Sequence, residues 1–144
     1  MRLTLHSDYA MRVLLHLGAQ PERLVSIAEI AESYRISRNH LTKVVHGLVI
    51  AGLVDSVRGR SGGIRLARST QEINLGDVLR LTEEGFELVD CANCVIAPAC
   101  GLTAVVNEAL AAFMAVFDGY TLADILGRRK ELRHLLSDCA EQDA

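Results

Sequence analysis

Ser26 to Leu66 reads SIAEIAESYRISRNHLTKVVHGLVIAGLVDSVRGRSGGIRL. Ser26 and Glu29 have the Ser-x-x-Glu spacing of a capping box, in which each side chain satisfies a free backbone N–H at the other's position. A helix is therefore predicted over residues 26–34, with Ile27, Ile30 and Ala31 turned to the core. After the short link Arg35–Ile36, Ser37 caps a second helix, SRNHLTKVVHGLVIAG, whose buried stripe is Leu41, Val44, Val45 and Leu48 and which Gly52 ends. The period then changes to that of a hairpin: Leu53 to Val57 as one strand, Arg58 to Gly63 as a glycine-rich turn, Ile64 to Leu66 as the return.

Two short capped helices across a tight turn make a helix-turn-helix, and the second of them enters a DNA major groove by its first turns. The residues there are Arg38, Asn39, His40 and Lys43. Arginine suits the O6/N7 edge of guanine, asparagine the N6/N7 edge of adenine, and lysine a phosphate. Taken alone this is also the pattern of a helical hairpin with a solvated polar face. The hairpin behind it decides the matter, because Arg58 and Arg60 in its loop and Arg65 just after can clamp phosphates or enter a minor groove, with glycines letting the backbone come close. The sequence thus predicts a mainly α fold with a small β-hairpin, a winged helix-turn-helix.

Outward from this stretch, residues 7–19 form a first helix, with Ser7 as N-cap, Asp8 in the first turn, and Tyr9, Val13, Leu14 and Leu17 at helical spacing; Pro21 follows and breaks it. Asn74 caps a further helix, LGDVLRLTEE. Residues 102–118 are apolar on more than one face, which suits a helix that packs on a partner, so a long dimerisation helix is expected there. Thr121 opens a short helix, TLADILGRR, and the tail beyond Arg129 adds a turn or two. Three parts result: a winged-helix DNA-binding domain over 1–80, a cysteine loop over 81–101, and the dimerisation helix with the C-terminal tail over 102–144.

The net charge of −3 sits poorly with a polyanionic partner until the chain is divided. Residues 1–80 hold 11 Lys and Arg against 7 Asp and Glu, a balance of +4; residues 81–144 hold 4 against 11, a balance of −7. The basic part is the one that meets nucleic acid. Aromatic residues are 4% in a chain that is 50% hydrophobic, so the core is aliphatic. No stretch approaches the roughly 20 apolar residues of a membrane span, and the N-terminus lacks a signal peptide's apolar run, which predicts a cytoplasmic protein with no membrane partner.

Cys91, Cys94 and Cys100 form a C-x2-C-x5-C motif in a loop with Pro98 and small residues, while Cys139 stands apart in the acidic tail and is expected to be uninvolved. In a reducing compartment, clustered cysteines read as metal ligands or redox groups. Thiolates hold iron–sulfur clusters, and zinc is the rival because C-x2-C is also a common zinc half-site. A thiol enzyme using Cys91 and Cys94 as a redox pair would need a βαβ setting that the chain lacks, and no triad or carboxylate pair stands out. The protein is therefore read as a non-enzyme. Of the histidines, His40 is assigned to DNA, and His6, near Asp8, is a weak alternative ligand.

The runs Leu3-Thr4, Asp8-Tyr9-Ala10, Ser37 to Leu41, Val57 to Leu66, Val89-Asp90-Cys91, Ile96 to Cys100 and Tyr120 to Asp124 together resemble the Rrf family of iron–sulfur regulators, most of all its nitric-oxide-sensing repressors. The resemblance implies a homodimer on a double-stranded DNA operator, with nitric oxide as signal. It implies one cluster per subunit on Cys91, Cys94 and Cys100, completed by Asp8 of the partner subunit. A [4Fe-4S] cluster is preferred and [2Fe-2S] is the alternative, since the first two cysteines are closer together here than in the nitric-oxide-sensing members. Iron-responsive relatives carry Asn at the place of Asp8, and [2Fe-2S] relatives have a His soon after the last cysteine, whereas residues 101–110 contain none. Iron or redox sensing, or a zinc-bound regulator, are the other readings.

Overall fold

The computed structural model describes residues 2–141 of the chain. In order, the elements are α1 (Leu5–Ala19), α2 (Ile27–Tyr34), α3 (Arg38–Ile50), β1 (Val54–Val57), β2 (Gly63–Leu66), α4 (Leu75–Thr82), α5 (Leu102–Asp118), α6 (Leu122–Ile125) and α7 (Arg129–Glu141), with short 3-10 turns at Thr70–Glu72 and Ala97–Ala99. The side chain of Cys139 lies outside the described residues.

The core is aliphatic, as the composition requires. Val13, Leu14 and Leu17 of α1, Ile30 of α2, Leu41, Val44, Val45 and Leu48 of α3, and Val78 and Leu79 of α4 are all buried. Residues on one helical face come together at three- and four-residue steps, so each helix gives one stripe to a common centre. Leu122 and Leu126 return from the far end of the chain to pack on α1 beside Gly18.

The helix-turn-helix forms where expected, with α2 capped by Ser26, whose hydroxyl accepts from the Glu29 N–H. Its turn is made by Arg35 in the left-handed conformation, φ 53°. Glycine is the usual residue for that geometry, and an arginine there carries a steric cost of roughly 1–2 kcal/mol. The antiparallel wing pairs Val54 with Leu66 and Val57 with Gly63. Val25 adds a bridge to Ile64, so the return strand is held beneath the α1–α2 loop. The wing glycines serve this internal packing: a Cβ on Gly62 would stand 2.2 Å from the Val57 carbonyl oxygen, and one on Gly63 2.8 Å from that of Val25.

Three helix ends differ from the sequence expectation. α1 starts at Leu5 and is capped by Thr4, not Ser7, because the Thr4 hydroxyl accepts the Ser7 N–H while the Ser7 hydroxyl is turned inward. Ser37 precedes α3 without making a side-chain cap bond. The expected helix from Thr121 stops at Ile125, and a separate α7 follows.

Candidate nucleic-acid interface and cysteine loop

Arg38, Asn39 and Lys43 stand exposed on the first two turns of α3, opposite its buried stripe. Asn39 and Lys43, four residues apart, share one helical face. Neither Arg38 nor Lys43 has an ion-pair partner among the described residues, so their charges are available to phosphate or base edges. His40 is half-buried, its ring edge-to-face on Tyr9 with centroids 5.1 Å apart and planes at 73°. The wing presents Arg58 and Arg60 in its exposed loop. Arg65 sits opposite Asp55 in the ladder, 3.8 Å between charged atoms, and both are more than half exposed, so the pair is weak and easily exchanged for a phosphate.

A buried polar contact lies between α1 and α2. His16 is almost fully buried; its Nε2 lies 3.1 Å from the Gln20 amide nitrogen, and its Nδ1 has no hydrogen-bond partner among the described residues. Burial holds its pKa below the usual histidine range, an effect that Arg23 reinforces and Glu29 opposes. Glu29 itself pairs with Arg23, whose hydrogen bond keeps the carboxylate ionised below its ordinary range despite partial burial.

The cysteine loop is a run of tight turns. Val89 O accepts from Cys91 N, Cys91 O from Cys94 N, Cys94 O from Ala97 N, and Ala97 O from Cys100 N, at 3.1–3.3 Å. Cys91, Cys94 and Cys100 thereby sit at the ends of successive turns. All three thiols are free; Cys94 is exposed and the other two half-buried. The Cys91 sulfur lies 3.4 Å from the Thr103 hydroxyl at the start of α5. Among the described residues no three His, Cys, Asp or Glu side chains are gathered closely enough to hold a metal ion. The structure brings the three thiols into one loop without closing them into one coordination sphere. The donor set nonetheless fits a soft-metal group: three accessible sulfurs, with Ala92, Ala97 and Ala99 between them offering little bulk.

Residues 3–128 match the family model Rrf2, described as iron-dependent transcriptional regulator. The chain belongs to the Rrf2 family of transcriptional regulators. It is 49% identical over 142 residues to the HTH-type transcriptional regulator NsrR of Bacillus subtilis, covering 94% of this chain and 97% of the relative. It is 47% identical over 142 residues to NsrR of Shouchella clausii, covering 94% and 95%. Among solved structures it resembles T. potens IscR, with TM-score 0.75 and 28% identity over 92% of this chain and 90% of that one. The NsrR relatives are named transcriptional regulators, a non-catalytic role, and the IscR structure shares the fold described above. No helix among the described residues is long and apolar enough to cross a membrane.

In this Rrf2 chain the site is held by one local ion pair and by two contacts between residues far apart in sequence. Asp8, at the start of α1, forms an ion pair with Arg12 one turn on, 2.8 Å apart, and is 41% exposed. The Arg12 guanidinium also lies over the rings of Tyr9 and Tyr34, 6.0 and 5.7 Å from their centroids. The root of the cysteine loop is fastened to α1 as well. One oxygen of Glu83 accepts from both the backbone N–H (2.9 Å) and the hydroxyl (3.1 Å) of Thr4. Burial alone would raise the Glu83 pKa, but the polar groups of Ser7 and Thr4 beside it outweigh burial and leave the carboxyl below its usual range. The far end of α5 is locked to α4 by the two-pronged Arg80–Asp118 pair, 2.6 and 2.8 Å, over Gly76, where a Cβ would meet the Asp118 carboxylate at 1.9 Å.

Proposed function

We propose that this Rrf2 regulator is a dimeric repressor whose hold on its operator is set by an iron–sulfur cluster that senses nitric oxide. The observation that carries the reading is the cysteine loop: three free thiols at the ends of successive turns, within ten residues, tied by Glu83 to the helix that supports the DNA-reading helix. Cys91, Cys94 and Cys100 would hold the cluster, and the naming of the relatives favours nitric oxide over iron or redox state as the signal. When bound, the cluster supplies iron that reacts with nitric oxide. A [4Fe-4S] form is preferred, with Asp8 of the partner subunit as fourth ligand. The exposure of Asp8 leaves it open to such use, in exchange for its pairing with Arg12.

The chain's own residues do the rest. Arg38, Asn39, His40 and Lys43 read the major groove, and Arg58, Arg60 and Arg65 grip the backbone beside it. α5 is the dimerisation helix. It buries only Met114, while Leu102, Val105 and Val116 are 56%, 61% and 60% exposed, an apolar surface that calls for a second copy. Two heads joined through α5 need half-sites about one DNA turn apart, so a small reorientation of each head weakens binding to both together.

Anaerobic purification followed by assay of iron and sulfide, with an absorption spectrum, tests the cofactor. Iron and inorganic sulfide in comparable amounts, lost together in Cys94→Ser, are expected. Zinc without sulfide would overturn this reading in favour of a zinc-bound regulator.

A further inference from the structure

The loop that carries the cysteines and the helix that reads DNA do not touch through their own functional residues. Both touch the first two turns of α1. Glu83, the residue on which α4 ends and the loop begins, holds Thr4 by two hydrogen bonds to one carboxylate oxygen. One residue back, the Thr82 hydroxyl accepts from the Ser7 hydroxyl at 2.8 Å and donates to the Val78 carbonyl. Ser7 and Thr82 are buried, so that bond has no water to replace it, and separating the two leaves unsatisfied polar groups. Two residues beyond Ser7, the Tyr9 ring stands edge-on to His40 in the first turn of α3. Thr4, Ser7 and Tyr9 thus lie within two turns of one rigid helix, two of them fastened to the root of the cysteine loop and the third set against the recognition helix.

We propose that this seam is the mechanical link of the regulator: Glu83 and Thr4 fix the N-terminal turns of α1 to the root of the cysteine loop, and Tyr9 passes their position to His40. Tyr9 is a positioning residue for operator recognition, and Glu83 is the positioning residue that makes it responsive to the loop. The inference rests on the reading that the loaded cysteine loop controls operator binding. Tyr9 acts through its ring, since its hydroxyl has no hydrogen bond among the described residues. Glu83 acts through one acceptor oxygen, which glutamine also has.

The test uses the full chain in two states: reconstituted anaerobically with ferrous iron and sulfide, and stripped with a chelator. The quantity read is the ratio of operator affinities between the states, expected to be about tenfold in the wild type, within the usual range of coupling between sites. Tyr9→Leu and Glu83→Ala are expected to bring that ratio to within about twofold of unity. Tyr9→Phe and Glu83→Gln keep the ring and the acceptor oxygen and should retain it. In Glu83→Ala with Tyr9→Leu the loss should equal that of either alone, because both cut one path. A second readout needs neither cluster nor DNA. In the stripped protein, the His40 ring-proton NMR resonances feel the Tyr9 ring, and Glu83→Ala should move them in the same direction as Tyr9→Leu. A wild-type ratio of one would overturn the cluster-control reading. A wild-type ratio preserved in both cutting variants, or His40 resonances unmoved by Glu83→Ala, would overturn the link whatever the cluster does.

Discussion

The two halves of this Rrf2 chain use similar aliphatic side chains to opposite ends. From Leu5 to Thr82 the apolar stripes of four helices and a hairpin close on one another, and the largest of them, such as Leu14, Leu41 and Leu79, are wholly shielded. From Glu83 to Phe113 not one residue is buried, although this stretch includes Val95, Leu102 and Val105. The first part is closed, with Leu122 and Leu126 completing it from the far end of the chain. The second is folded locally, by turns and a helix, and leaves its thiols and its apolar face unfilled. A region whose local structure is complete and whose burial is not is a region built to receive something. The proposed function assigns DNA binding to the first part and its control to the second, the acidic side of the molecule.

The comparison breaks most visibly if the core of the head is cut. Leu14→Ala should cost about 2–5 kcal/mol, the range for a fully buried leucine, read as a lower denaturation midpoint with little change in slope. Val105→Arg, on the face of α5, should change the stability of the head by less than about 0.5 kcal/mol, as a surface substitution does, yet convert dimer to monomer in sedimentation equilibrium. A head destabilised as strongly by Val105→Arg as by Leu14→Ala would show that α5 belongs to the first core after all. Arg58→Ala should leave the fold untouched and weaken operator binding at all sequences alike. The slope of log affinity against log salt should fall by about 0.9 if the wing arginine neutralises one phosphate.

The smallest effect expected concerns acid. Because burial lowers the pKa of His16, the folded protein resists its protonation, so the stability it leaves intact at neutral pH is lost progressively as pH falls below about 6.5. Glu29, whose pKa is also lowered, contributes above its unfolded value near 4.5 and is lost only below it. A scan between pH 7 and 5 therefore isolates the histidine. The wild-type Tm should decline over that window and His16→Gln should flatten the decline.

Most of the head was legible in the sequence because its signals are local. The Ser26 cap, the Asn74 cap, the stripe of α3 and the glycine-rich turn of the wing all act within a few residues. The cap of α1 was misplaced from Thr4 to Ser7 because both are good capping residues, and what separates them is a partner 75 positions away, Thr82, which takes the Ser7 hydroxyl inward. The wing glycines were read as making room for a ligand, whereas Gly62 and Gly63 make room for the protein's own backbone. The left-handed Arg35 carries no signal that an arginine could give. The cysteine motif was legible as chemistry but not as geometry. Its anchoring by Glu83 and the lock between Arg80 and Asp118 join residues 79 and 38 positions apart, which no periodicity records.

The decisive question is whether the unfilled half governs the filled one. Full-length protein, reconstituted anaerobically with ferrous iron and sulfide and held on operator DNA, would be titrated with nitric oxide while binding is followed by fluorescence anisotropy. Operator affinity should fall about tenfold or more as nitric oxide is added, and Cys94→Ser should start at the weaker value and not respond. Affinity unchanged after the cluster has fully reacted would contradict this control.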